Sequence, residues 1–281
     1  MFPQSENSST IRGPYHSLKR QTPAANNVFL FDLDILVPSN FGQLDHHFGE
    51  YLREFVELAP CYAISNGSYS SVMARLPLSI RNGFEGIFAS AGTEMWRREE
   101  LLLRHDHDFS DDLYEFMVNV VRSSAYDKKN APVLESGSAT LRLQLSGTKS
   151  TARETAKYLA WERKHQELSE IIAEFKIRFT NYQICRDSEA SLLIVPSSFS
   201  TVLVRDHLRR RHKSARLITC LAPNTMSGYL KPFCEALSDT DMISVVADPS
   251  DVSQLLCHER KILKASATPR LQTPNAQFQK A

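Results

Sequence analysis

Near the start of the chain an unbroken apolar run, Val28-Phe29-Leu30-Phe31, leads straight into Asp32-Leu33-Asp34-Ile35-Leu36-Val37-Pro38. A continuous apolar run of this kind suits a strand buried on both faces, as in a parallel sheet. Asp32 and Asp34 then stand at its carboxyl end, where open α/β sheets place their ligands. Alternate strand residues point the same way, so the two carboxylates converge on one small site if the strand continues through them. A strand followed by a solvated turn accounts for the same residues, because Asp is common in turns.

Past Pro38 the pattern changes period. Leu44, Phe48, Tyr51, Leu52, Phe55 and Leu58 repeat at helical spacing, with Ser39 or Asn40 as the cap and Pro60 as the stop. Cys61 to Ile64 is a short apolar strand, Ser65-Asn66-Gly67-Ser68 a loop, Ser70 to Leu76 a short helix, and Gly86 to Ser90 another strand. Short apolar strands separated by helices imply a parallel sheet with right-handed crossovers.

The middle of the chain reads differently. Ser110 opens a helix with Leu113, Phe116, Met117, Val120 and Val121 on one face. Thr140 to Leu145 alternates with period 2, as a half-exposed strand does. Thr151-x-x-Glu154 is a capping box that opens a long helix with Leu168, Ile171, Ile172 and Phe175 inward. Lys176 to Cys185 and Ala190 to Val195 read as strands joined by a turn at Arg186-Asp187-Ser188. An antiparallel sheet with two helices, set inside a parallel one, predicts a separate cap. The first pattern then returns, with a helix over Thr201 to Arg211, strands at Leu217 to Leu221 and Ile243 to Ala247, and a closing helix from Asp251 to Leu263. The expected fold class is α/β: a doubly wound, Rossmann-like parallel sheet with an inserted α+β cap domain. The expected divisions are core over 27–100, cap over 101–196 and core over 197–264, flanked by tails 1–26 and 265–281 whose low hydrophobicity reads as disorder.

Composition narrows the function. The 281 residues are 42% hydrophobic, enough for a core, and a net charge of +1 gives no global field toward nucleic acid or anionic membrane. No apolar run approaches the ~20 residues that span a bilayer, and residues 1–26 contain no secretory apolar region. Cys61, Cys185, Cys220, Cys234 and Cys257 are scattered, with no Cys-x-x-Cys pair, which suits reduced thiols and a cytoplasmic location. His46-His47 and His105-Asp106-His107-Asp108 could each bind a metal, but the first suits helix surface better, since no carboxylate or His follows at a spacing such as His-Glu-x-x-His, and the second suits a solvated loop, as alternating charges before the helix capped by Ser110. The basic run Arg209 to Lys213 suits a helix carboxyl end. Cys220 has no nearby His base and reads as core.

Asp32-x-Asp34 after an apolar strand, with a cap inserted mid-chain, resembles the haloacid-dehalogenase-like superfamily. The layout is similar to its large-cap subgroup, which includes phosphomannomutase, sucrose-phosphate phosphatase and trehalose-phosphate phosphatase. The resemblance spans roughly residues 27–262 and rests on pattern and order. It implies that Asp32 is the nucleophile that accepts a phosphoryl group, that Asp34 is the general acid/base, and that Asp32 and the Asp34 carbonyl bind Mg²⁺. It makes Ser65, directly after an apolar strand, the residue that hydrogen-bonds the phosphoryl group, with Ser68 as the second choice and Asn66 and Gly67 beside them; turn chemistry accounts for both serines as well. Ala91-Gly92-Thr93-Glu94-Met95-Trp96 resembles the Gly-Thr-Glu-Ile segment of sucrose-phosphate phosphatases.

The departures from that pattern are chemical. Ile35-Leu36 replace the usual Gly-Thr. Thr201 falls near the family's Lys, leaving Arg205 as a poor substitute. Ala222-Pro223-Asn224-Thr225-Met226-Ser227 follows the strand that should be followed by the acidic metal motif, and it contains no carboxylate; Asp239 and Asp241 lie well downstream. Two readings follow. One is a Mg²⁺-dependent phosphatase, or phosphomutase-like enzyme, acting on a sugar phosphate or similar small phosphoester through an aspartyl-phosphate. The other is a catalytically impaired relative that binds a phosphorylated ligand or a partner protein without turnover.

Overall fold

The first strand lies at the middle of the molecule. A computed structural model of the chain describes residues 27–37, 44–246 and 249–267. In it β1 (Asn27–Asp32) is followed at once by the single helical turn α1 (Leu33–Leu36). Phe29, Phe31, Val28 and Leu30 are all buried, alternately toward the two layers of helices that sandwich the sheet. The chain continues through α2 (His46–Leu58), β2 (Cys61–Ile64), α3 (Tyr69–Arg75), α4 (Leu78–Arg81), β3 (Gly86–Ala89), β4 (Glu94–Arg97) and β5 (Glu100–Arg104). The cap follows as α5 (Asp111–Ser123), β6 (Leu134–Ser136), β7 (Leu141–Leu143), α6 (Ala152–His165), α7 (Glu167–Arg178), β8 (Tyr182–Ser188) and β9 (Ser191–Pro196). The core resumes with α8 (Val202–Arg211), β10 (Arg216–Leu221), α9 (Pro223–Ser227), α10 (Lys231–Glu235), β11 (Met242–Val245) and α11 (Pro249–Ala267).

Among the described residues the core sheet has the order β11-β10-β1-β2-β3-β4-β5. Its first five strands are parallel, and β3-β4-β5 is an antiparallel extension. The cap sheet, β6-β7-β9-β8, is wholly antiparallel and has its own core around Tyr158, Phe175 and Leu192. The α/β class with an inserted α+β cap is therefore the observed fold.

Several expected boundaries move. Asp45, not Ser39 or Asn40, caps α2, through a bond from Phe48 N–H to its carboxylate of 2.9 Å; Ser39 and Asn40 lie outside the described residues. The hairpin β4–β5 belongs to the core sheet, so the core extends past 100 to Arg104. The single long helix after Thr151 is two helices, α6 and α7, broken where Gln166 takes a left-handed conformation at φ 55°. The buried Glu162 carboxylate accepts the Leu168 N–H there and supports the new helix start. The cap thus carries three helices rather than two. Helix α7 runs on to Arg178, which displaces the strand expected from Lys176, and Arg186-Asp187-Ser188 is strand β8 rather than a turn. Residues 265–267 are helical, whereas 1–26 and 268–281 lie outside the described residues. No described helix is long and apolar enough to cross a membrane.

Candidate functional site

Parallel pairing places the carboxyl ends of β1, β2 and β10 side by side. Asp32 pairs in register with Ile64, so Ser65 lies one step beyond on the neighbouring strand. Phe31 pairs with Cys220, so the loop after Leu221 emerges on the other side of Asp32. These three strand ends make the site.

Asp32 is buried, at 1% exposure. Its Oδ1 accepts from Asp34 N–H at 3.0 Å and its Oδ2 from Ala222 N–H at 3.3 Å. The Thr225 hydroxyl on α9 donates a short bond to the same Oδ2. Asp34 lies on α1, because β1 ends at Asp32 and the next four residues coil; the two acids therefore do not share a strand face. Arg75, at the end of α3, donates from Nη2 to Asp34 Oδ1 at 2.6 Å and to the carbonyls of Leu33 and Val37. That cation fastens Asp34 to the α1 segment. It belongs to a helix whose sequence gave no hint of it beyond a basic residue in a last turn.

The predicted phosphate-binding residues fall into two sets. Ser65 is buried, and its Oγ accepts from Gly67 N–H at 3.1 Å, which folds the 65–68 loop against the strand ends. Ser68 caps α3 by accepting from Ser71 N–H and shares a bond with Ser70 Oγ at 2.8 Å. Asn66 reaches up to the cap and donates to Asp187 Oδ2 at 3.2 Å. The buried hydroxyl of Thr201, at the position near the family's Lys, donates to the Tyr229 carbonyl at 3.0 Å and ties α8 to the segment before α10. Arg205 is engaged with Asp206 and the Ala236 carbonyl. Asp241 lies at the opposite end of the sheet, where it accepts from Leu217 N–H at 2.9 Å at the start of β10 and pairs with Arg209. Asp239 is exposed. Neither downstream acid reaches Asp32.

Asp187 is the residue that pattern reading missed. Its side chain is fully buried on β8 and pairs with Arg142 Nε at 2.9 Å, while also accepting from Asn66 and from the Ser191 hydroxyl. Strand β8 also packs on α9, so the cap lies against both sides of the site. Between the 66–68 loop and cap strands β6 and β7 is a cavity of about 290 Å³, lined by Asn66, Ser68, Ser90, Ser136, Thr140 and Arg142 among others. The Arg142 Nη2 beside it is buried and has no hydrogen-bond partner. Tyr229 lies within the field of the same acids. Burial, then Asp32, Asp34 and Asp187, hold its hydroxyl far above the usual value.

The residues present do not fit Mg²⁺. A magnesium site uses one or two carboxylates plus phosphate and water in an octahedron. The Asp32 oxygens already accept three donors, Asp34 is held by Arg75 and Asp187 by Arg142. No described cluster of His, Cys, Asp and Glu could hold a metal ion, the His105–Asp108 stretch included. Cys220 is core, with burial pushing its thiol up to about 12.

Burial, helped by the charge of Asp34, raises Asp32 from 3.8 to about 6, against the bonds from Thr225, Asp34 and Ala222 that pull it down. Its folded value exceeds its unfolded one, so its stabilising contribution is complete below the lower value and is lost as pH rises through the upper. Two units correspond to ~3 kcal/mol, an order-of-magnitude figure. Asp32→Asn should therefore gain on the wild type by ~2–3 kcal/mol between about pH 4 and about pH 7 in denaturant titrations. A difference between the two proteins that does not change with pH would contradict this.

The comparisons place this geometry in a known fold. No family model and no curated protein sequence matches the chain. Among solved structures, N-terminally truncated, IMP-bound Plasmodium falciparum IMP-nucleotidase superposes with a TM-score of 0.57 at 11% identity, over 84% of this chain and 68% of that one. The ATP-bound form of the same protein gives 0.58 at 10% identity, over 87% and 62%. A haloacid dehalogenase-like hydrolase from Bacteroides thetaiotaomicron gives 0.54 at 15% identity, over 83% of this chain and 99% of that one. The chain carries the haloacid-dehalogenase-like fold, core and cap together, in divergent form.

Proposed function

We propose that this chain binds a small phosphoester without the magnesium-dependent turnover that the family resemblance implies. The observation that carries the reading is at Asp32 Oδ2, where the described partners are the Thr225 hydroxyl and the Ala222 N–H, with no second carboxylate and no ammonium. A carboxylate attacking a phosphoryl dianion needs a cation to offset the crowded charge. Among the described residues, the guanidinium bonded to the pair is that of Arg75, and it is spent on Asp34.

The ligand place is the cavity between the 66–68 loop and the cap. It offers hydroxyls and is lined by Arg142, with the Glu135 carboxylate also in its wall, and a guanidinium matches phosphate geometry. The two nucleotide-bound neighbours of the same fold support a phosphorylated small molecule here. The sugar phosphate or similar phosphoester read from the sequence is thus a ligand rather than a substrate. The net charge of +1 supports neither nucleic acid nor membrane as a partner.

The test is calorimetric titration of inorganic phosphate and a panel of phosphomonoesters in chelator. Binding should occur without metal. Arg142→Lys keeps the charge opposite Asp187 but removes the planar fork, and should weaken binding by ~10-fold. Absence of binding across the panel, or no effect of Arg142→Lys, would overturn the assignment.

A further inference from the structure

We propose that the Thr225 hydroxyl occupies the place of a divalent cation at Asp32, and that a carboxylate at position 225 would rebuild a metal site. The inference rests on the reading that this site has no metal of its own. Strand β10 runs parallel to β1 and ends beside it, with Phe31 opposite Cys220. The Ala222 N–H then binds Asp32 Oδ2 and pins the start of the following turn. That anchor delivers residue 225, itself 4% exposed, to the same oxygen. Whatever stands at 225 must therefore live within hydrogen-bond reach of a buried carboxylate.

Only two kinds of group suit that place. A donor satisfies Asp32 directly, and threonine does this. A second carboxylate would repel Asp32 unless the two share a proton or a cation. Two converging carboxylates, with water and phosphate, can hold Mg²⁺. The other acids do not compete for the role, because Asp34 is tied to Arg75, Asp187 to Arg142, and Asp241 to the far end of the sheet. Threonine at 225 thus closes the oxygen that a cation would use, and it does so with a neutral hydroxyl.

The full chain is titrated with Mg²⁺, and separately with Mn²⁺, by calorimetry, and its melting is followed with and without the metal. The wild type should give no saturable heat and no melting shift. Thr225→Asp should bind at least ~10-fold more tightly than the wild type, and metal should raise its melting temperature by several degrees (~4 °C or more at saturation). Adding Asp32→Asn to Thr225→Asp should abolish both effects. Thr225→Glu, which brings the same charge on a longer arm, serves if the Asp variant does not fold, and it should show the same effects more weakly. Saturable binding by the wild type that depends on Asp32 would overturn the proposal and the reading beneath it. A silent wild type with folded Asp or Glu variants that bind no metal would overturn the proposal alone.

Discussion

Asp187→Ala should destabilise the protein by about 3 kcal/mol, the lower end of the usual cost of removing one partner from a buried ion pair. The Asp187 side chain is fully buried, while Arg142 is one-fifth exposed, so some of the stranded guanidinium charge returns to water and the cost stays at that lower end. Three donors lose their acceptor together: Arg142 Nε, Asn66 Nδ2 and Ser191 Oγ. Two of them are in the cap and one is in the core loop, so the same change frees the 65–68 loop from the cap. Denaturant titration reads the stability. Faster amide exchange at residues 65–68, with the α5–α7 amides unchanged, reads the detachment. Asp187→Asn keeps the shape and should cost less than the Ala variant. A loss below about 1 kcal/mol for Asp187→Ala would mean that the pair is screened and does not join the two domains.

Gly147→Ala should be worse, costing more than about 4 kcal/mol. Gly147 has φ +95°, which L side chains rarely adopt, and an added Cβ would fall 1.6 Å from the Asn130 carbonyl oxygen. Both the strain and the clash are with backbone, so no side-chain rotation relieves them. The turn also holds Gly147 N–H on the Gln144 carbonyl and Asn130 N–H on the Ser146 carbonyl, which ties the chain before β6 to the end of β7. Gly67→Ala gives the contrast. Its Cβ would meet only the Ser71 and Ser65 side chains, the nearest atom at 3.3 Å, and the cost should stay below about 1 kcal/mol. Equal melting of the Gly147 and Gly67 variants would refute the assignment of backbone contact at 147.

What the sequence announced and what it concealed follow from the kind of signal each residue carries. β1 was legible because a doubly buried strand must be apolar without interruption, and the acids at its end stand out for that reason. Ser65 was legible by position, as the first polar residue after a buried strand. Asp187 was not, because Arg-Asp-Ser reads as a turn until the pairing of Ser188 with Ser191 shows where the strand ends. Thr225 carried no signal, since one hydroxyl in Pro-Asn-Thr-Met-Ser has no spacing to recognise. The β4–β5 hairpin was hidden similarly. Its two turn residues, Arg98 and Glu99, both take positive φ, at 47° and 67°, where Asn-Gly or Gly would ordinarily flag the turn. Gln166 broke a helix without a glycine or proline to mark it.

The pairing of Asp32 with Thr225 changes what the opening stretch means. Asp32 and Asp34 match the Asp-x-Asp pattern on which the family resemblance rests, yet each is already satisfied by a neighbour, one by a hydroxyl and two amides, the other by Arg75. An aspartate in that position is held by the fold, and its replacement by Asn should show as the pH-dependent gain in stability given above rather than as a loss of turnover.

The most direct measurement is phosphate release from a broad panel of phosphomonoesters, sugar phosphates and nucleoside monophosphates included, by the folded wild type and by Asp32→Asn, each with and without Mg²⁺. The account predicts that the two proteins are indistinguishable from each other and from buffer in every arm. Mg²⁺-stimulated release by the wild type that disappears in Asp32→Asn would contradict it and establish Asp32 as a working nucleophile.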